Sequence, residues 1–182
     1  KTLEPTERAV PGRANTQGDT VSDDRQNQQI QLAARPVGEI KPTDFNLVDV
    51  PTPEIGDGEV LVESRYLAVE PAMKGWMEAR VDYTAPINIG DPMRGWGTGV
   101  VVASNNPRYP VGTNVSAMLG WQRYVVSNGK NVPLSPIPEG IPHAVAMNIL
   151  GITGLTAWFG MLDIGQPQAG DRTRSRGDST RT

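Results

Sequence analysis

EVLVESRYLAVEPAMKGWM (residues 59–77) holds the clearest strand of the sequence and the corner that follows it. Glu59 to Glu70 read as one strand, Pro71 stops it, and MKGWM is suited to a single helical turn. Immediately upstream, PTPEIGDGE (51–59) supplies turn chemistry, and FNLVDV (45–50) reads as a further strand ending at Pro51. Farther back, from Gln28 onward, Ile30, Leu32 and Ala34 alternate with polar neighbours at the period of a half-buried strand.

Downstream lie three more strand candidates, GTGVVVAS (97–104), TNVSAML (113–119) and WQRYVVSN (121–128), separated by NNPRYPVG and by Gly120. Strands this short and closely spaced predict a barrel or sandwich. The 20 Gly and 16 Pro among 182 residues agree, because they favour turns over long helices. Beyond SPIP (135–138) the style changes. Pro142 suits the first turn of a helix continued by HAVAMNIL. Thr153 is expected to cap a second helix, in which Leu155, Trp158, Phe159 and Leu162 share one apolar face and which Gly165 ends. The fold class expected is mainly β with C-terminal helices.

Composition divides the chain into three parts. Residues 1–26 contain no aromatic residue and few apolar ones, and are expected to be a disordered leader. Residues 27–171 form the domain, with nine basic and fourteen acidic groups, and residues 172–182 are a polar, arginine-rich tail without an apolar side chain. An acidic body offers no clustered basic face, so nucleic acid is not an expected partner. No run is long and apolar enough to span a bilayer as a helix, no signal-peptide pattern stands out, and a cytoplasmic location is expected. With no Cys and one His, disulfides, thiolate zinc sites and multi-histidine metal sites are excluded, and no metal is expected.

Four constellations carry candidate chemistry. RGWGTGV (94–100) resembles a dinucleotide fingerprint but has Val100 in the place of the third glycine, and its glycines enter a strand instead of leaving one. Close backbone approach or a bulge in a barrel strand explains them better. His143, beside Pro142, is assigned no role. VEPAMKGWM (69–77) sets Glu70, Met73, Lys74 and Trp76 just past a strand, either lining a cleft or forming a packed corner with solvated charges. GITGLTAW (151–158) either caps a helix or offers free N–H groups to a ligand, and periodicity favours the cap.

In order and spacing, EVLVESRYLAVEPAMKGWM, INIGDPMRGWGTGVVVASNNPRYPVGTNVSAMLGWQRYVV and ILGITGLTAWFGMLDIGQPQAGD resemble the N-terminal half of the zinc-independent medium-chain dehydrogenase/reductase superfamily. Within it, the likeness is to the NADP(H)-dependent enone reductases, and it covers about residues 28–171. The resemblance implies a GroES-like, partly open β-barrel and, for the full-length family, NADP(H) as cofactor, an enone or alkenal substrate and a possible homodimer. It implies hydride transfer to a carbon–carbon double bond conjugated to a carbonyl, without zinc. Carried over by position, Glu70 and Met73 fall in the segment at the substrate site, Glu70 standing where aspartate is more usual, and Tyr83 matches a tyrosine near the substrate entrance. Gly120, Trp121, Gln122 and Tyr124 match a structural barrel-strand signature, while Thr153 and Gly154 match the segment near the nicotinamide.

After Asp171 the family continues with a buried strand, a glycine-rich turn and a helix that hold the cofactor pyrophosphate. RTRSRGDSTRT (172–182) cannot be such a strand, because a central parallel strand is a near-continuous hydrophobic run. The expectation is therefore a barrel truncated before the Rossmann domain, inactive alone, through a reading-frame change, a splice or a mis-called gene end. A non-catalytic interaction module and a stand-alone small-molecule-binding barrel are the alternatives.

Overall fold

The computed structural model describes residues 26–79 and 84–172. Strands β1 (Gln26–Leu32) and β2 (Phe45–Pro51) form an antiparallel ribbon, pairing Gln26 with Pro51 and Leu32 with Phe45. A short 3-10 turn, Pro42–Asp44, leads into β2. Buried Asp44 is satisfied there, since the Lys41 N–H donates to its Oδ2 at 2.8 Å and the Ala33 N–H to its carbonyl at 2.8 Å.

The main sheet has five strands in the order β6-β3-β4-β5-β7, every pair antiparallel. They are β3 (Val60–Leu67), β4 (Gly97–Ser104), β5 (Asn114–Ala117), β6 (Tyr124–Ser127) and β7 (Ser135–Pro136). The β1 edge reaches this sheet through single bridges, Gln29 with Gln122 and Gln31 with Pro92, and through loop bonds such as Ile30 N–H to the Trp121 carbonyl at 2.9 Å. The result is the expected partly open barrel. Its core is β-branched, as strand positions prefer: Val60, Val62, Val101, Val115 and Val125 meet Tyr109, Leu119 and Leu134. A second cluster, with Leu32, Met77, Ile87 and Met93, packs under β1 against α1 (Ala72–Met77).

The glycines of β4 are explained by close approach. A β-carbon on Gly97 would lie 2.8 Å from the Tyr66 carbonyl oxygen, and one on Gly99 would lie 2.5 Å from that of Glu63. Both contacts are with the backbone of β3, whose register against β4 shifts between Leu61 and Val62 and between Ser64 and Tyr66. Bulges of this kind bend a sheet toward closure.

Joining β1 to β6 is the task of a buried side chain, Asn27, which is 1% exposed. The Tyr124 N–H donates to its Oδ1 at 2.8 Å and its Nδ2 donates to the Tyr124 carbonyl at 3.0 Å, so one amide takes the place of a strand partner. Gln29 and Gln31 extend the array: Gln31 Nε2 donates to Gln29 Oε1 at 2.9 Å, and Gln29 Nε2 to Gln122 Oε1 at 3.0 Å.

Helices α2 (His143–Asn148) and α3 (Ile152–Phe159) follow, and α3 runs on into a wider π turn, Gly160–Gly165, closed by Gln166 at φ 42°. Here one expectation is corrected. Thr153 is not the cap of α3: Gly151 is, with extended backbone and no side-chain capping bond. The reason is crowding at the joint, where a β-carbon on Gly151 would strike the Met147 carbonyl and one on Gly154 that of Ile149. The strand ends differ slightly too. β3 stops at Leu67 rather than Glu70, and Ser135–Pro136, at the boundary where the style of the sequence changes, pairs as β7. The disordered leader expected for 1–26 lies outside the described residues apart from Gln26, as does the 172–182 tail apart from Arg172.

Candidate functional site

Strand register brings four hydroxyl-bearing residues into one row. Tyr66 on β3 lies opposite Thr98 on β4, Thr98 opposite Ser116 on β5, and Ser116 opposite Ser135 on β7. Directly opposed residues share a sheet face, and alternation sends their neighbours Val115 and Ala117 into the core. The hydroxyl row therefore occupies the outer face, the one against which α2 packs through buried Ala146. Thr98 is fully buried there, and its Oγ1 has no hydrogen-bond partner among the described residues.

Between this face and the α2–α3 joint lies a cavity of about 350 Å³. The sheet side contributes Ala68, Glu70, Trp96, Ser116 and Ser135; the helix side contributes Met147, Leu150, Gly151, Ile152 and Leu155. A mostly apolar wall with one carboxylate and two hydroxyls is the usual make-up of a small-ligand site. The volume of the cavity is enough for one ring system with short arms.

Of the residues expected at the substrate site, Glu70 is half-buried and lines the cavity. Met73 does not line it. It is 4% exposed in the cluster under β1, and its Sδ sits 3.5 Å from the Glu70 N–H, which places it beneath the corner that presents Glu70. Tyr83 lies outside the described residues. The chain on either side of it is pinned by arginines: Arg35 donates to the Met77 and Ile87 carbonyls at 2.7 and 3.1 Å, and Arg94 to Thr84 Oγ1 at 3.1 Å. Thr153 is exposed and Gly154 half-buried; neither lines the cavity, although their neighbours Ile152 and Leu155 do.

Trp96, Ser116 and Met147 were not singled out from sequence. Trp96 sat in view within the glycine-rich RGWGTGV, and the alternation of TNVSAML carried the signal for Ser116. His143 begins α2 and stacks on Tyr66, ring centroids 6.1 Å apart and planes at 23°. Its Nδ1 is buried without a partner among the described residues. Burial, and secondarily the Arg65 charge, holds its pKa below the usual histidine value, so the neutral ring is favoured. Among the described residues, no group of three or more His, Asp or Glu is placed to hold a metal ion, and no helix is long and apolar enough to cross a membrane.

A complete NADP(H) does not fit the described residues. A pyrophosphate needs a strand, a glycine-rich turn and a helix N-terminus within a parallel crossover, whereas every strand pair here is antiparallel. The glycines that come closest in sequence, Gly95 and Gly97, are closed off, Gly95 by the Met73 and Trp121 side chains and Gly97 by the β3 backbone at Tyr66.

Comparison with known proteins agrees with this geometry. Residues 28–134 match the family described as the N-terminal domain of oxidoreductase. The chain is 39% identical over 150 residues to the NADPH-dependent curcumin reductase of Escherichia coli, covering 81% of this chain and 42% of that one. It is 38% identical over 130 residues to prostaglandin reductase 1 of Sus scrofa, covering 70% and 37%. Among solved structures, CurA from Vibrio vulnificus in complex with NADPH superposes with a TM-score of 0.72 at 38% identity, covering 79% of this chain and 42% of that one. The chain thus spans about two fifths of the length of these relatives. With the matched region embracing both sheets from β1 to the approach of β7, the chain belongs to this oxidoreductase N-terminal-domain family, within the zinc-independent medium-chain dehydrogenases/reductases.

Proposed function

We propose that this domain supplies the substrate-facing half of an NADP(H)-dependent reductase acting on the carbon–carbon double bond of α,β-unsaturated ketones and aldehydes. The observation that carries the reading is the cavity itself: an apolar, ring-sized space with Glu70 and two serine hydroxyls, set against the α2–α3 joint. The names of the relatives, NADPH-dependent curcumin reductase and prostaglandin reductase 1, support the reaction class. In this reading Glu70 contacts substrate, Met73 supports the corner beneath it, and Tyr83 belongs to the approach. Thr153 and Gly154 shape the segment beside the nicotinamide, Gly154 by letting the backbone turn against Ile149. The cofactor, when bound, supplies the hydride, and its phosphates are held by groups outside the described residues. The 182-residue chain alone is then inactive, and a cytoplasmic setting and a homodimer of the complete enzyme fit the same reading.

A fluorescence titration and a thermal-shift assay on this chain test it. An α,β-unsaturated ketone should raise the melting temperature, while NADPH should give no saturable binding. A low-micromolar NADPH dissociation constant would overturn the division of labour, and no response to any such ketone would overturn the assignment of the cavity.

A second reading, an interaction module, is favoured by the exposed face of α3 and its extension. Leu155, Trp158 and Phe159 are 51%, 61% and 53% exposed, and Ile164 is 83% exposed. Contiguous apolar surface of this kind marks an association site.

A further inference from the structure

We infer that Glu70 makes the cavity a charge-selective site, admitting uncharged ligands that carry a hydrogen-bond donor and rejecting carboxylates. The inference rests on the cavity being the substrate site. Among the described residues, Glu70 is the one charged residue lining it, and its carboxylate forms no ion pair or hydrogen bond with them. Among the described residues, no Lys or Arg lines the cavity beside it. Arg65 pairs with Glu63 at 3.0 Å, and Lys74 is exposed on α1 and does not line the cavity.

The remaining polar lining reinforces the choice. Ser116 and Ser135 each offer a hydroxyl that donates to a carbonyl, so a ligand's carbonyl is met by the sheet while Glu70, an acceptor only when ionised, calls for a donor. Apolar walls from Trp96, Leu150 and Leu155 thin the water between a ligand and Glu70, which lengthens the reach of its field. A second carboxylate brought into this space meets no cation among the described lining residues and repels Glu70. A hydroxyl meets a charge-assisted acceptor.

Three ketones of one shape isolate the effect: 4-phenylbut-3-en-2-one bearing a para hydroxyl, methyl or carboxylate group. Their binding to the full chain would be measured by isothermal titration calorimetry at neutral pH, for the wild type, Glu70→Gln and Glu70→Asp. The wild type should bind the carboxylate at least roughly tenfold more weakly than the methyl compound, and the hydroxyl compound most tightly, as charge-assisted hydrogen bonds and like-charge contacts of this kind imply. Glu70→Gln should bring the carboxylate to within about twofold of the methyl compound, while Glu70→Asp, which keeps the charge, should preserve the gap. Equal binding of all three to the wild type would sink the selector role and leave the cavity assignment standing. Failure of every compound to bind would overturn both. A gap that persists in Glu70→Gln would show that another group sets the selectivity.

Discussion

Replacing Asn27 by alanine removes a partner that both backbone groups of Tyr124 use within the barrel. Its amide accepts from the Tyr124 N–H at 2.8 Å and donates to the Tyr124 carbonyl at 3.0 Å, and it is 1% exposed. A backbone group deprived of a buried partner costs about 1–3 kcal/mol, so two of them give about 2–5 kcal/mol after some water enters. That is a large part of the roughly 5–15 kcal/mol by which a domain of this kind is stable. At about 2–4 °C per kcal/mol for a domain this size, the melting temperature should fall by about 5–15 °C. Asn27→Asp keeps the acceptor, loses the donor and points a buried charge at a carbonyl, so it should be at least as damaging as alanine. Gln28→Ala, at the exposed neighbouring position, is the control and should stay within about 0.5 kcal/mol. Urea unfolding followed by tryptophan fluorescence measures all three. If Asn27→Ala cost under about 1 kcal/mol, the claim that a side chain substitutes for strand pairing between β1 and β6 would be wrong.

Other substitutions probe the remaining features. Gly99→Ala places a β-carbon 2.5 Å from the Glu63 carbonyl oxygen, with backbone as the obstacle, and should destabilise by about 3 kcal/mol or more or abolish folding; an unchanged urea midpoint would refute the close-approach account of the β4 glycines. His143 has a pKa lowered in the folded state by burial and by Arg65, so the unfolded chain binds the proton more tightly. Its contribution to stability is complete above the unfolded value, about 6.5, and declines as pH falls through and below it. His143→Gln should flatten that part of the stability–pH curve, and an unaltered slope in the variant would show that other groups produce it. For the exposed face, sedimentation velocity should show the wild type associating as concentration rises, and Leu155→Glu with Trp158→Glu should hold it monomeric; a clean wild-type monomer throughout would remove the case for an interaction surface.

How far these features were legible from sequence depends on what kind of signal each leaves. β4 was readable to the residue because a β-branched run between turn signals leaves one sensible span, and its glycines ruled out a dinucleotide turn by where they fall. β7 was not readable, since Ser135–Pro136 is two residues long and proline is tolerated there only because the strand is at an edge. Asn27 was invisible for the opposite reason: a polar residue counts against burial unless its partner is known, and that partner lies 97 residues away. At the site, Glu70 stood out because a strand-ending proline follows it. Ser116 and Ser135 became neighbours of Glu70 only through a register that pairs residues on four different strands. Thr153 was assigned the cap on residue type, and crowding against α2 gave that position to Gly151 instead.

Periodicity predicted the apolar face of α3 and could not say what meets it, and the structure adds that this face is shared. Leu155 lines the cavity while remaining half exposed, and Trp158 and Phe159 continue the same helix outward. A partner that reached Leu155 would also meet the cavity wall. Gly151, which lines the cavity, begins α3 at a joint where no side chain can be added without striking the Met147 carbonyl, so a ligand and a partner would both bear on it. Binding free energies at two sites that share a structural element are linked reciprocally, so a ligand that orders the joint should strengthen association on α3 by the same factor that association strengthens the ligand. If both readings hold, they meet at Leu155 and the joint before it. Repeating the sedimentation experiment with the para-hydroxy ketone present measures their coupling: a shift in association constant establishes it, and an identical constant with and without ligand shows the two faces of α3 to be independent.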